Sequence, residues 1–229
     1  MSVIANNLQA VLVRIAHACR LAGRSADDVR LLAVSKAWPT DSVLAAAAAG
    51  QRAFGESYVQ EALAKMNATH DAGLEWHFIG PLQSNKTQKV AEHFAWVHAI
   101  DRVKLAERLS AQRPAALPPL QVCVQVNVSG EASKSGCRPE AALALCQAVA
   151  ALPRLSLRGL MTIPQPTDDP AAQRAAFGRL RRLQEQLCAA GLPLDTLSMG
   201  MSDDLEAAIA EGATIVRVGT AIFGERNNP

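Results

Sequence analysis

Lys36 stands in surroundings that favour a reactive amine. It follows the apolar or small residues of LLAVS and comes two positions before Trp38. Burial among such neighbours lowers the pKa of a lysine, and a neutral amine is a nucleophile toward aldehydes. The alternative is a solvated lysine just past a strand, since most lysines are exposed. The position therefore indicates a candidate Schiff-base lysine.

Two segments near the end of the sequence carry groups that bind anions. They contain Ser198, Gly200, Met201 and Ser202 in LSMGMSDD, and Arg217, Gly219 and Thr220 in IVRVGT. Glycines let the backbone approach an anion, and hydroxyls donate hydrogen bonds to it. Ser202 also precedes a predicted helix over Asp203–Glu211, whose first amides it could expose. The alternative is that Ser202 is a simple helix cap and that the glycines only turn the chain.

Arg217 lies within an apolar run, where alternation turns it away from the face of Val216 and Val218. A guanidinium in such a place needs a partner. A ligand could supply it, and an ion pair with Glu56 or Glu75 is the alternative.

Other polar or soft side chains allow two interpretations. His77 in WHFIG could bond near a ligand, but a lone histidine on an apolar strand is more often a satisfied core residue. Met161 and Met199 could line a wall against an aromatic ring, although core filling is the usual role of methionine.

Helical spacing of apolar residues recurs along the whole chain. It predicts an N-terminal helix over Val3–Ala22 and an alanine-rich helix from Thr40 to Gly50. Further helices are predicted over Tyr58–Met66, Lys86–Phe94, Val103–Gln112, Pro139–Leu152, Pro170–Ala190 and Asp203–Glu211.

Short runs rich in β-branched and apolar residues alternate with these helices and predict eight strands. The strands are predicted over Val29–Ser35, Arg52–Phe54, Trp76–Ile79, Trp96–Ala99, Leu120–Val128, Leu155–Met161, Leu194–Leu197 and Ala213–Val218. Eight βα units in one chain of 229 residues favour an α/β fold with a single (β/α)8 TIM barrel over residues 1–229. We expect the extra N-terminal helix to pack beside the last strand.

The barrel brings the candidate residues together. Lys36 ends the first strand, and the two anion-binding segments follow strands seven and eight, where barrels commonly bind phosphate. Strands one and eight are neighbours in a closed barrel. A nucleophilic amine beside a phosphate pocket predicts a ligand that is an aldehyde and carries a phosphate.

Composition and spacing give no support to nucleic-acid, membrane or metal binding. The 23 basic and 21 acidic residues are mixed along the chain, which gives no basic surface for nucleic acid or for an anionic membrane. The five cysteines show no CxxC pair or metal-ligand spacing, so neither a disulfide framework nor a metal site is predicted. Without an apolar run near 20 residues or a signal sequence, we expect a cytoplasmic protein, and without a heptad seam a monomer.

Six sequence segments together resemble the pyridoxal-phosphate homeostasis protein family, cytosolic relatives of the alanine racemase barrel. They are AVSK at 33–36, FGESYVQE at 54–61, WHFIGPLQSNK at 76–86, RGLMTIP at 158–164, SMGMSDD at 198–204 and VRVGTAIFGER at 216–226. One departure is Ser57, where the family usually has asparagine, and it leaves the role of that position open.

The resemblance implies that pyridoxal 5'-phosphate is held as a Schiff base on Lys36. Ser202, Gly219 and Thr220 match its phosphate-binding positions, with Met201 and Gly200 in the same loop, and Ser198 begins the matching segment. Arg217 matches the arginine that faces the pyridine nitrogen. A permanent cation there disfavours protonation of the ring and weakens it as an electron sink.

The resemblance further implies a carrier or regulator of the cofactor, with transient contacts to enzymes that use it, and without robust catalytic turnover. A racemase needs a second proton-transfer group, usually a tyrosine from an added domain, and Tyr58 is the single tyrosine of this sequence. Two alternatives stay open. One is an amino-acid racemase or decarboxylase that uses the cofactor, and the other is a Schiff-base aldolase without it.

Overall fold

The computed structural model describes residues 2–131 and 135–225, and its centre is a closed barrel of eight parallel strands. The strands are β1 (Arg30–Val34), β2 (Ala53–Glu56), β3 (Glu75–Phe78), β4 (Trp96–Ile100), β5 (Leu120–Gln125), β6 (Leu155–Met161), β7 (Thr196–Ser198) and β8 (Ile215–Val218). Each strand pairs with the next one along the chain, and β8 pairs with β1. The predicted (β/α)8 barrel is confirmed.

Nine α-helices surround the barrel within the described residues. They are α1 (Val3–Leu21), α2 (Thr40–Ala48), α3 (Val59–Ala68), α4 (Thr87–His93), α5 (Val103–Gln112), α6 (Ala142–Ala150), α7 (Pro170–Ala189), α8 (Leu205–Ala210) and α9 (Thr220–Phe223). In the ranges 2–131 and 135–225, none of these helices is both long and apolar enough to cross a membrane.

The elements differ from the predicted ones mainly at their ends. The fifth strand stops at Gln125 rather than Val128, because Val126 leaves the ladder to form an isolated bridge with Cys137. The short helix α9 was not predicted, since four residues are too few for a helical period to register.

Side chains of the strands alternate between two layers, one between the strands and the helices and one inside the barrel. Val216 and Val218 are fully buried in the layer between the strands and the helices. Ile215 instead belongs to the interior cluster, and Arg217 is paired in register with Leu32 of that same cluster. Neighbours in register share a face of the sheet, so the predicted direction of Arg217, away from its two valine neighbours, is confirmed.

Helix α1 completes the outer ring. Its face of Leu8, Val11 and Ile15 is buried, and the helix packs against α2, α8 and α9. The Asn7 side-chain amide donates to the carbonyl oxygen of Ile222 at 3.0 Å. The N-terminal helix therefore contacts the helices that precede and follow β8, close to the position predicted for it.

Strands β6 and β7 approach each other closely at Gly159. A Cβ atom at this position would overlap the carbonyl oxygen of Thr196 on the neighbouring strand. Backbone atoms cannot move aside as a flexible side chain can, so this close approach requires glycine.

We expect Gly159→Ala to lower the free energy of unfolding by about 1–3 kcal/mol, the usual cost of forcing an extra carbon into a packed interior. Urea denaturation followed by circular dichroism measures the change. Ser156→Ala on the same strand adds no atoms and serves as the control. Equal urea midpoints for the two variants would contradict this account of β6 and β7.

Candidate functional site

Lys36 lies in a tight turn directly after β1. The side chain is half-buried, and the next residue, Ala37, has a φ of 64°. The Trp38 backbone N–H donates to the carbonyl oxygen of Ser35 at 3.0 Å and closes the turn. A non-glycine residue in the left-handed region costs about 1 kcal/mol or more, so neighbouring groups must hold the turn in place.

Three charged side chains supply that support. The Ser35 hydroxyl donates to Glu56 Oε1 at 2.6 Å, and Lys65 Nζ donates to the Ser35 carbonyl oxygen at 2.7 Å. The Ala37 N–H donates to Glu61 Oε1 at 2.6 Å. Residues on both sides of the candidate lysine are therefore fixed by hydrogen bonds to charged groups, which are stronger than neutral ones.

Lys65, Glu56 and Glu61 form a single group, here called the Lys65 cluster. Lys65 Nζ lies 2.7 Å from Glu56 Oε1 and 2.6 Å from Glu61 Oε1. Burial raises the pKa of Glu56, and the hydrogen bonds from Lys65 and Ser35 oppose that rise. Among the described residues, Glu56 Oε2 has no hydrogen-bond partner. The sequence did not reveal this cluster, because Lys65 on an amphipathic helix resembles an ordinary surface residue.

The second anion-binding segment lies directly against β1. A Cβ atom at Gly219 would be 3.1 Å from the carbonyl oxygen of Val34, two residues before Lys36. The Ala221 N–H donates to Ser202 Oγ at 3.4 Å and so connects helix α9, which follows β8, with the loop after β7. The predicted proximity of the lysine and the two loops is therefore present in the structure.

The predicted helix start at Asp203, directly after Ser202, is wrong. Helix α8 begins at Leu205, with Asp204 before it. The reason is that Asp204 Oδ1 accepts the Met201 N–H at 2.5 Å and closes a turn of its own. The Ser202 hydroxyl is therefore not used as a cap of α8.

Arg217 is nearly inaccessible from solvent, with 4% of its surface exposed. Its Nη1 donates to Ser198 Oγ at 2.8 Å, and its Nη2 donates to the Thr162 carbonyl oxygen at 2.9 Å. Burial lowers the pKa of Arg217 to about 10, against the influence of Asp204. The guanidinium remains charged at neutral pH.

The alternative ion pairs for Arg217 are not formed among the described residues. Glu56 belongs to the Lys65 cluster, and Glu75 accepts hydrogen bonds from Arg30 and His77 instead. Both direct partners of the Arg217 side chain are neutral oxygens, so its positive charge is not cancelled by a contacting carboxylate.

One cavity of about 200 Å³ unites these groups at the carboxyl ends of the strands. Six of the eight predicted site residues line it, namely Lys36, Met201, Ser202, Arg217, Gly219 and Thr220. Ser57 also lines it, as do Val34, Ile79, Ile163 and Asp203, which sequence reasoning missed. In (β/α)8 barrels the functional residues follow the carboxyl ends of the strands, which we call the strand-end rule. Ile79 and Ile163 follow the ends of β3 and β6, so this rule could have found them.

The other two predicted residues lie behind the cavity wall. Ser198 is fully buried and accepts a hydrogen bond from Arg217. Gly200 has a φ of 94°, and a Cβ atom there would be 2.6 Å from the Ala208 Cβ. Its smallness therefore allows α8 to pack closely, whereas a direct approach to an anion was expected.

Neither methionine forms the predicted apolar wall. Met161 and Met199 are fully buried, and the described wall of the cavity does not include them. Their default interpretation as core residues is the one that the structure supports. The apolar residues of the described wall are Val34, Ile79, Ile163 and Met201.

The whole chain matches known proteins. The family model of the alanine racemase N-terminal domain matches residues 8–227. A Pseudomonas aeruginosa protein named pyridoxal phosphate homeostasis protein is 63% identical over 227 residues, which are 99% of this chain and 97% of that protein. The chain therefore belongs to the alanine racemase N-terminal domain family, and the predicted resemblance is confirmed. The name of this relative is that of a homeostasis protein rather than of an enzyme.

Solved structures agree with this assignment. PipY from Synechococcus elongatus PCC7942, solved with pyridoxal phosphate bound, has a TM-score of 0.83 and 38% identity, covering 96% of this chain and 100% of that chain. Alanine racemase from Corynebacterium glutamicum has a TM-score of 0.69 and 19% identity, covering 98% of this chain and 61% of that chain. At that identity the second likeness concerns the fold alone.

We expect Lys65→Met to lower the free energy of unfolding by about 3–5 kcal/mol, because Glu56 loses the partner of a buried charge. Adding Glu56→Gln to the same chain should restore part of the loss. Urea denaturation measures both changes, and Lys104→Met on the exposed face of α5 is the control. A Lys65→Met protein as stable as the control would contradict the stabilising role of the buried Lys65–Glu56 pair.

Proposed function

We propose that this chain binds pyridoxal 5'-phosphate through Lys36 and serves as a carrier and regulator of that cofactor. The observation that carries the proposal is the single cavity shared by Lys36 and by the hydroxyl residues Ser202 and Thr220. It exists because β1 and β8 are hydrogen-bonded neighbours. The name of the Pseudomonas relative and the cofactor bound to PipY support the same ligand.

The chemical groups around the cavity fit the three parts of this cofactor. The faces of an aromatic ring require apolar surface, a phosphate requires hydrogen-bond donors, and an aldehyde can be held by an amine. The matching residues are Ile79 and Ile163 for the ring, Ser202 and Thr220 for the phosphate, and Lys36 for the aldehyde.

When bound, the cofactor supplies an aldehyde that an amine can hold covalently and a ring that can accept electrons. Lys36 would bond its deprotonated nitrogen to the aldehyde carbon, while the carbonyl oxygen leaves as water. The Lys65 cluster fixes the residues on either side of Lys36, so the amine reaches the cavity from a rigid turn.

Arg217 favours holding the cofactor over using it. Its guanidinium lines the cavity and stays charged at neutral pH, and within residues 2–131 and 135–225 its hydrogen-bond acceptors are neutral oxygens. A cation facing the ring nitrogen disfavours ring protonation, and an unprotonated ring is a weaker electron sink. This environment supports a protein without robust turnover.

Tyr58 gives a second reason to favour a carrier over a racemase. The single tyrosine of the sequence is 60% exposed and does not line the described wall of the cavity. A second proton-transfer group on the other face of a substrate is what a racemase requires. A panel of D- and L-amino acids tests this point, and turnover that Lys36→Ala abolishes would favour a racemase or decarboxylase.

The proposal extends to the state of the protein in the cell. We infer a monomer in the cytoplasm in which residues 1–229 act as one cofactor-binding domain. It would pass the cofactor to enzymes through transient contacts. The near-neutral balance of charge supports a small-molecule role over nucleic-acid binding.

We expect Lys36→Ala to keep the fold and to lose the pyridoxyl group that borohydride reduction fixes on the protein. Mass spectrometry of peptides after reduction locates the label. Lys86→Ala, which removes a lysine outside the cavity wall, is the matched control and should be labelled like the unmodified protein. Equal labelling of the Lys36→Ala protein on another lysine would contradict the assignment.

We expect the combined change Ser202→Ala and Thr220→Val to weaken retention of pyridoxal phosphate. Each hydroxyl donated to a charged acceptor is worth about 1.5–3 kcal/mol, or roughly tenfold or more in affinity. Equilibrium dialysis measures the loss, with pyridoxal, which lacks the phosphate, as the control ligand. An equal loss for both ligands would remove these hydroxyls from the phosphate site.

A further inference from the structure

A row of polar side chains crosses the barrel interior and ends at Arg217. Ser198 Oγ, which accepts from Arg217, lies 2.8 Å from His98 Nδ1. His98 Nε2 lies 2.9 Å from His77 Nδ1, and His77 Nε2 lies 2.6 Å from Glu75 Oε1. The cavity wall is thereby connected to Glu75, the first residue of β3, at the opposite end of the barrel.

The two histidines are sealed from water. Both are fully buried, and the Trp96 ring stacks on His77 with a centroid distance of 5.3 Å and an interplanar angle of 3°. A buried polar atom without a partner costs free energy, but every ring nitrogen of this pair has one. Only the Glu75 end reaches solvent, where its 35% exposed side chain also contacts Arg30 at 2.8 Å.

The positions of the protons follow from the two ends of the row. The hydrogen bond from His77 holds the pKa of Glu75 at about 2, so the carboxylate is ionised and must accept. His77 Nε2 therefore carries a proton. Burial lowers the pKa of His77, against the hydrogen bond to Glu75, and lowers that of His98 further, so both rings are neutral at pH 7. A neutral His77 must then accept at Nδ1 from the Nε2–H of His98.

The proton on His98 determines the direction in which the Ser198 hydroxyl donates. His98 carries its proton on Nε2, so its Nδ1 accepts, and the only donor there is the hydroxyl of Ser198. The lone pairs of Ser198 Oγ then face the Arg217 guanidinium, which can only donate. All hydrogen bonds in the row therefore point in one direction, from Arg217 to Glu75.

We propose that His77 and His98 are positioning residues for the cofactor site, which hold the Ser198 hydroxyl in the orientation that fixes Arg217 in the cavity wall. The part that concerns the cofactor rests on the proposed function. The proton arrangement does not, because it follows from the protein alone. Neither histidine touches the cavity, so both act through Arg217.

Protonation of His77 in acid would reverse the direction of the hydrogen bonds between His77, His98 and Ser198. A protonated His77 donates from Nδ1 to His98 Nε2, so His98 must carry its proton on Nδ1 and donate to Ser198. The serine then loses the acceptor of its own proton. The charged groups that face the pair are Glu75, Arg30 and Arg217, and the two cations oppose any added positive charge.

Nitrogen-15 NMR of the protein without cofactor tests the proton arrangement directly. We expect both imidazoles to be neutral with the proton on Nε2 at pH 7, and to remain so below pH 6.5, where an unperturbed histidine becomes protonated. Finding the proton on Nδ1, or a charged ring at pH 7, would overturn the inference whether or not the protein binds pyridoxal phosphate.

Two variants at one position test the effect on the cofactor. We expect His98→Leu to weaken cofactor retention about tenfold and to shift the pH profile of the bound cofactor's visible absorption. His98→Gln should restore both, because its amide can accept from Ser198 and donate to His77. His93→Gln, at an exposed position of α4, is the control. Retention and a pH profile that are unchanged in His98→Leu would refute the positioning role.

Stability gives a further measurement if His98→Leu does not fold. The unfolded chain binds protons on both histidines below about pH 6.5, whereas the folded chain does not. The free energy of unfolding should therefore fall as the pH decreases from 6.5, and less so in a His77→Gln protein. Equal acid dependence in the two proteins would contradict buried neutral rings. A wild-type protein that fails to bind pyridoxal phosphate would contradict the proposed function, but not the proton arrangement of His77 and His98.

Discussion

The register between β1 and β8 is the constraint on which the site depends. Leu32 pairs with Arg217, and Ala33 pairs with Val218, although these residues are far apart along the chain. Continuing past these pairs in parallel brings Lys36 and Thr220 to the same end of the barrel. A slip of one residue would turn every side chain of β8 to the other face and would place Arg217 among the apolar residues under the helices. Barrel closure thus determines which groups share the cavity.

Burying the Arg217 cation inside the barrel costs free energy, and this cost explains why polar side chains lie in the interior. Arg217 would be costly if its donors were unpaired, and hydrogen bonds to Ser198 and Thr162 satisfy two of them. Ser198 in turn needs an acceptor for its own proton, which leads to the buried histidines and finally to an exposed carboxylate. The charge of Arg217 and the row of polar side chains are therefore connected by hydrogen bonds. They make this part of the interior polar, where most barrels contain branched apolar residues.

The sequence predicted the positions of Lys36 and Arg217 well, since strand periodicity and the strand-end rule need only local information. The sequence did not predict the interactions across the barrel. A lone histidine in WVHAI gives no sign that it meets His77, because that contact requires both the strand order and the face of each residue. The Lys65 cluster was missed because a lysine on an amphipathic helix resembles a surface residue. Helix boundaries failed where a side chain competes with the backbone, as Asp204 does before α8.

The Lys65 cluster and the histidine row each support one residue of the cavity wall. The Lys65 cluster holds the turn of the lysine from α3, and the histidine row holds the arginine from the barrel interior. At the same end of the barrel, the side chains of Tyr58 and Ile163 are 60% and 38% exposed. Chemistry on a reactive intermediate is helped by a site that excludes water, whereas exchange of a bound molecule is helped by an accessible one. The exposure of these neighbours supports the proposed role, in which the protein holds and releases the cofactor.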